Sequence, residues 1–263
     1  PNNSKAIYQD LSKDYSAIEP PTWSLLLAQS CRAKGFSVAI LDAVAEKLDL
    51  DQIHDRILSH SPKLLCFVVY GQNVNAGTTS MSGATMLSNY LKDSKVDIPI
   101  SYIGSHVQAL PIETLNTESS IDFLFTNEGV YALHDVLSLK IINNENLENI
   151  NGICIRKNGR AKLNIPGKIV PQNMMDIDLP GYAWDLLPFK KNPLDLYRAP
   201  MWHAGYDQNK RSPYAALQTS LGCQFACDFC MINIINRDDN EEIGVAGNYS
   251  AMRFWSPEFI IKE

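Results

Sequence analysis

The sequence predicts an α/β fold in which a doubly wound parallel sheet is followed by a connector and the first strand-helix unit of a second domain. Three observations predict it. Over the first 140 residues short apolar runs alternate with amphipathic helical segments, a pattern that requires crossovers between parallel strands. The run "LLCFVVY" at 64–70 shows no polar alternation, as befits a strand covered on both faces. After residue 165 prolines punctuate the chain, and a new strand-like segment starts at "PYAALQTS".

The elements follow in order. "TWSLLLAQSCRAKG" places Trp23, Leu27 and Cys31 at i, i+4 and i+8 and stops on Gly35, which predicts a helix. "FSVAILDA" reads as the next strand. Asp51 is the expected cap of a short helix carrying Ile53 and Ile57, and "KLLCFVVYG" the expected central parallel strand. A helix around 81–92 aligns Ala84, Leu87 and Leu91. Strand "IPISYIG", a short helix at 111–116, strand "IDFLF" and a closing helix striped by Val130, Leu133 and Leu137 complete the first unit.

Residues 150–165 read as a hairpin about Asn158-Gly159, both tolerant of positive φ. "LPGYAWDLLPF" and "NPLDLYRAPMW" lie in the connector. "PYAALQTS" is then a strand entering a cysteine loop and "MRFW" a second strand, while "SPEFIIKE" starts a helix capped by Ser256 with Pro257 at its first position. The chain divides into residues 1–140, 141–212 and 213–263. It opens on Pro1 and stops where a helix begins, so it reads as a piece of a longer protein.

Composition narrows the function. A net charge of −6 and pI near 5.4 give no electrostatic reason to bind nucleic acid or an anionic membrane surface. The apolar runs fall well short of the roughly 18 residues that cross a bilayer, and no signal peptide opens the chain. Cys31, Cys66 and Cys154 are scattered among apolar residues while Cys223, Cys227 and Cys230 cluster. This is not a disulfide framework, and it points to a reducing, cytoplasmic compartment.

Doubly wound sheets bind ligands beyond the carboxyl ends of their strands. The candidate ligand residues are therefore Tyr70, Gly71, Gln72 and Asn73, then Gly104, Ser105 and His106, then Glu128 and Gly129 with Asn127 before them. Each has a plainer alternative: His106 as a loop histidine bonded to backbone, Glu128 and Gly129 as a first-turn acid and a turn glycine. His54, His60 and His134 are expected on solvated helix faces, and Trp184 and Trp202 in packing. The polar loop before the first helix would cover the same edge if a strand precedes Pro1.

The segment "TSLGCQFACDFC" (219–230) sets Cys223, Cys227 and Cys230 at C-x3-C-x2-C spacing. Structural zinc generally takes four nitrogen or sulfur ligands, and His203 is a fourth only across a proline-containing segment. Three thiolates on a cubane cluster leave one iron open to chemistry, whereas electron-transfer clusters close that corner with another cysteine.

This loop, preceded by "TSLG" and carrying Phe229 before its last cysteine, resembles the signature of radical S-adenosylmethionine enzymes. Leu221 and Gln224 stand where many members have Arg and Pro. "WSLLLAQSCRAKGFSVAILDA", "IGSHVQALP", "TNEGVYALHDVL", "INGICIRKNGR" and "DLPGYAWDLLP" follow in order the landmarks of the cobalamin-binding members. The resemblance therefore covers nearly the whole chain. It implies a Rossmann-like, cobalamin-binding sheet domain and the start of a truncated (β/α) barrel.

It also implies a [4Fe-4S] cluster on Cys223, Cys227 and Cys230, whose open iron chelates S-adenosylmethionine beside Phe229, and cobalamin at the strand ends, with Gly104-Ser105-His106 matching the family's GG-x-H loop. No D-x-H-x-x-G loop is present, so no histidine of that type would ligate cobalt. The implied activity is methylation of an unactivated carbon or phosphorus centre of a small molecule, with electrons from a donor such as flavodoxin or ferredoxin.

The rivals are a cobalamin-dependent radical cyclase or rearrangement enzyme and a non-catalytic metal or electron-transfer module. A methylthio-transferring relative is disfavoured because Cys31, Cys66 and Cys154 form no second constellation. Since a barrel needs several more strand-helix units than fit after residue 213, the last fifty residues are expected to show exposed apolar surface.

Overall fold

The computed structural model describes residues 18–70, 76–190, 196–197, 214–225, 227, 229–235 and 252–263. Helix α1 spans Thr22–Ala33 and buries Leu25, Leu26, Leu27 and Cys31, each leucine worth about 1.5–3 kcal/mol when removed from water. Gly35, at φ +87°, lets the chain turn out of it. The next segment, 36–41, departs from expectation: among the described residues it enters no ladder. Helix α2, Leu50–His60, is capped two residues earlier than expected. Asp49 accepts the Gln52 N–H at 2.8 Å while the Gln52 side chain accepts the Asp49 N–H at 3.0 Å, a reciprocal capping box that leaves Asp51 in the first turn.

Strand β1 is Leu65–Val68, helix α3 Gly77–Asp93, strand β2 Ile100–Ile103, and short helices α4 and α5 cover Ser105–Ala109 and Pro111–Thr117. Strand β3, Phe123–Phe125, leads to helix α6, Val130–Ser138, and a single turn α7, Asn144–Leu147. The hairpin is β4, Ile153–Lys157, and β5, Arg160–Leu163, with Asn158 at φ 51° and Gly159 at φ 76° as its turn chemistry requires. The sheet order is β1-β2-β3-β4-β5, with β1, β2 and β3 parallel and β4 antiparallel to both of its neighbours.

Two expectations are thereby corrected. The sheet is mixed, because a tight hairpin forces β4 to oppose β5 and places β4 against β3. Strand β1 lies at one edge of the described sheet and not at its centre. What remains is a mixed α/β, Rossmann-like unit. Because side chains alternate along each strand, Phe123, Phe125 and Ile103 join a core with α1 and α6, whereas Leu124, Tyr102 and Ile100 join a second with α2 and α3.

Helix α8, Met175–Asp178, lies in the connector, and the C-terminal portion comprises β6, Ser220–Leu221, α9, Ile232–Ile235, β7, Arg253–Phe254, and α10, Pro257–Lys262. Ser256 caps α10 through the Phe259 N–H at 3.1 Å, as the sequence predicts. The expected strands survive as a two-residue antiparallel pair, since the Phe254 N–H and C=O are both taken by the Gln172 side chain. Leu217, Phe225, Phe229, Phe254 and Ile261 are exposed, in line with the apolar surface expected in this portion. Among the described residues no helix is long and apolar enough to cross a membrane.

Candidate functional site

The carboxyl ends of β1, β2 and β3 converge on a polar network. The Tyr70 hydroxyl accepts the Gln108 side-chain N–H at 2.9 Å, and the same amide reaches the Asn127 carbonyl. Asn127 accepts the Gly129 N–H at 2.9 Å and donates to the Gly167 carbonyl at 2.6 Å. Burial pushes the Tyr70 hydroxyl well above its usual range, so it stays protonated. Trp23 of α1 meets Tyr70 edge-on at 6.2 Å.

Backbone crowding fixes this rim. A Cβ on Gly104 would lie 2.0 Å from the Val69 carbonyl oxygen, and one on Gly77 2.0 Å from Ser105 Oγ. The two strand ends therefore approach as only glycine allows. His106 Nδ1 lies 3.0 Å from Thr78 Oγ1, and burial lowers its pKa. Among the described residues Trp23 Nε1 and Ser105 Oγ are buried without a hydrogen-bond partner, which leaves the rim with unspent polar capacity.

Glu128 is committed elsewhere. Its carboxylate meets the Arg253 guanidinium at 2.7 and 3.2 Å, both side chains being 3% exposed, and it also accepts the Val170 N–H. Of the residues named from sequence, Tyr70, Gly104, Ser105, His106 and Gly129 stand at this edge, with Ser105 and His106 opening α4 in place of a loop. Gly71, Gln72 and Asn73 lie outside the described residues, as do Trp202 and His203.

Sequence reasoning missed Gln108 as the hub. Its signal was a polar residue four positions after Gly104, between a buried strand and Pro111. His134, expected in solvent, is buried and bonds Ser30 Oγ at 3.0 Å. Trp184 packs as expected, stacked on Tyr182 at 5.1 Å.

The cysteine loop leaves β6 through Gly222, at φ +90°. The Cys230 N–H bonds the Cys227 carbonyl at 3.0 Å, closing a turn. Cys227 is exposed, Cys223 and Cys230 are half-buried, no disulfide joins any of the six cysteines, and Phe229 is 82% exposed. The donor set suits a sulfur-ligated cluster in kind and chain reach, with three thiols on one solvent-facing loop. Among the described residues, however, no three His, Cys, Asp or Glu side chains are gathered as a metal would require. Cys31, Cys66 and Cys154 belong to another population, for burial raises their thiols to about 12, 11 and 11.

Helix α9, which follows the loop, packs on α4. The connector bonds the C-terminal portion on either side of the loop. Tyr182 Oη accepts the Gln218 N–H at 2.7 Å, Trp255 Nε1 donates to the Leu179 carbonyl at 3.0 Å, and the Glu263 carboxylate accepts the Tyr182 N–H and Trp184 Nε1, each at 3.2 Å.

No family model matches the chain. A protein of Pyrococcus horikoshii, named an uncharacterized methyltransferase, is 26% identical to it over 211 residues. That alignment covers 80% of this chain and 40% of the relative, so the chain spans less than half the length of this relative.

Proposed function

We propose that the chain is the cofactor-binding part of a radical S-adenosylmethionine methyltransferase. Cys223, Cys227 and Cys230 would hold a [4Fe-4S] cluster, and the strand-end rim would hold cobalamin. The observation that supports this reading is the packing of α9, two residues after Cys230, on α4, the short helix that opens at Ser105 beyond the end of β2. The methyltransferase name of the Pyrococcus horikoshii relative supports it at the level of the transferred group.

When bound, the cluster supplies an electron for cleaving S-adenosylmethionine and cobalamin supplies methyl transfer to a carbon or phosphorus centre. The chain's own residues bind and shield. Phe229 offers an aromatic face beside the thiols, Gly104 and Gly77 allow close backbone approach, and Trp23 Nε1 and Ser105 Oγ offer buried polar atoms to a ligand. His106 is engaged with Thr78 and is not assigned as a cobalt ligand. The small-molecule substrate and a flavodoxin- or ferredoxin-like electron donor belong to the same proposal.

The test is product analysis of the full-length protein, prepared without oxygen and supplied with S-adenosylmethionine and a reductant. The account expects 5'-deoxyadenosine, S-adenosylhomocysteine and a methylated product, and it expects Cys227→Ala to abolish all three. Deoxyadenosine with a rearranged, unmethylated product would replace methyl transfer by radical rearrangement. No cleavage at all would remove the radical reading.

A further inference from the structure

We propose that Glu128 and Arg253 are positioning residues: their buried pair sets where the cysteine loop is rooted relative to the ligand edge of the sheet. The inference rests on the reading above for what the loop holds, while the strut itself stands on contacts within the chain.

The strut has one end at the loop and the other at the rim. Arg253 belongs to β7, and its backbone pairs with Leu221 of β6, so that Gly222, at φ +90°, alone separates the paired residue from Cys223. A displacement of β7 is passed to the first cysteine across one residue. Glu128 lies three residues beyond β3, next to Asn127, whose carbonyl accepts the Gln108 side-chain N–H. That amide also holds the Tyr70 hydroxyl at 2.9 Å. The root of the loop is thus joined to the rim by a continuous series of directed contacts and chain bonds.

The pair's geometry suits it to holding a register. The Arg253 guanidinium reaches the Glu128 carboxylate at 2.7 and 3.2 Å and the Val170 carbonyl at 2.6 Å, and Glu128 in turn accepts the Val170 N–H. A planar fork fixed on two carboxylate oxygens and a carbonyl has one orientation. Apolar packing tolerates small slips, whereas this ring of bonds cannot shift without leaving a buried charged group short of a partner.

As a source of stability the same pair is poor. Both side chains are 3% exposed, so desolvation offsets much of their attraction, and apolar side chains of similar volume serve as well or better. Among the described residues Arg253 Nε is also buried without a partner, a further cost. The neighbouring ties lead elsewhere: the Gln172 side chain bonds the Phe254 backbone at 2.8 and 2.9 Å in an exposed contact, and Tyr182 Oη accepts the Gln218 N–H, both from the connector. Arg253 leads to the end of a sheet strand.

Two variants of the full-length protein test this. Glu128→Met with Arg253→Met removes the strut and leaves neither charge stranded, and Arg253→Lys keeps the charge but lacks the planar fork. The first readout needs no cofactor. In amide exchange of protein without added iron, peptides covering 219–222 and 253–254 are expected to exchange about tenfold faster or more in both variants, with Tyr102 unchanged. The second readout follows oxygen-free reconstitution and reduction. Both variants are expected to bind as much iron as the unaltered protein, yet to need about tenfold more S-adenosylmethionine for the same shift of the electron paramagnetic resonance spectrum. Exchange at 219–222 that ignores both substitutions overturns the strut. Faster exchange with an unaltered S-adenosylmethionine response overturns the positioning role and leaves the pair structural. If the unaltered protein assembles no cluster, the reading above fails, while the exchange result still decides whether the pair sets the root of the loop. Should the double variant not fold, Arg253→Lys carries both measurements.

Discussion

At the scale of residues, the buried pair between Glu128 and Arg253 joins the end of β3 to β7 across 125 positions of sequence. Breaking such a pair strands an uncompensated charge. Glu128→Gln is predicted to lower unfolding free energy by about 3–5 kcal/mol in denaturant titration, and a double apolar replacement, Glu128→Met with Arg253→Met, to recover most of that loss. His134 supplies a pH signature. Burial, and then nearby Lys34, hold its pKa below the ordinary histidine value. As pH falls, the unfolded chain takes up this proton before the folded one, so the stabilisation is full above about 6.5 and is lost progressively below it. His134→Gln should flatten melting temperature against pH across that window. Neither partnership shows in local sequence spacing, for Ser30 lies 104 residues from His134. The cysteines were more legible. Their spacing separates the loop trio from the scattered three, and native alkylation near pH 8, read by mass spectrometry, should label Cys227 well before Cys31, Cys66 or Cys154, whose buried thiols stay protonated.

At the scale of elements, the helices and turns were the readable part. Periodicity located α1, α3 and α6, the Asn158-Gly159 pair fixed the hairpin, and Ser256-Pro257 fixed the start of α10. Pairing was less readable, because it depends on which backbone edges find partners. The "FSVAILDA" segment has the residues of a strand and no ladder, and the hairpin continues the sheet instead of standing apart from it. Two glycines distinguish kinds of constraint. Gly159 has open space around it at φ +76°, so Gly159→Ala should lose only about 1–2 kcal/mol from the left-handed backbone. Gly104→Ala would drive a methyl into the Val69 carbonyl and should lose more than about 3 kcal/mol, with the rim between β1 and β2 forced apart. Thermal melts of the two variants under one condition make the comparison.

At the scale of the molecule, the connector ties the C-terminal portion to the rest of the described chain. It receives Trp255, Phe254 and Glu263 from the C-terminal portion through side-chain bonds to Leu179, Gln172, Tyr182 and Trp184. The sequence made both halves of the candidate site visible, one as a cysteine spacing and the other as the strand-end rule. The contacts of Gln172, Tyr182 and Glu128 with the C-terminal portion were not visible, because no periodicity encodes them. The most direct test is electron paramagnetic resonance of the full-length protein, reconstituted without oxygen and reduced. The account predicts one [4Fe-4S] cluster per chain, with a spectrum that shifts when S-adenosylmethionine is added and a signal absent from Cys227→Ala. A protein that binds no more iron than its Cys223, Cys227 and Cys230 alanine variant, or whose cluster spectrum ignores S-adenosylmethionine, would contradict it.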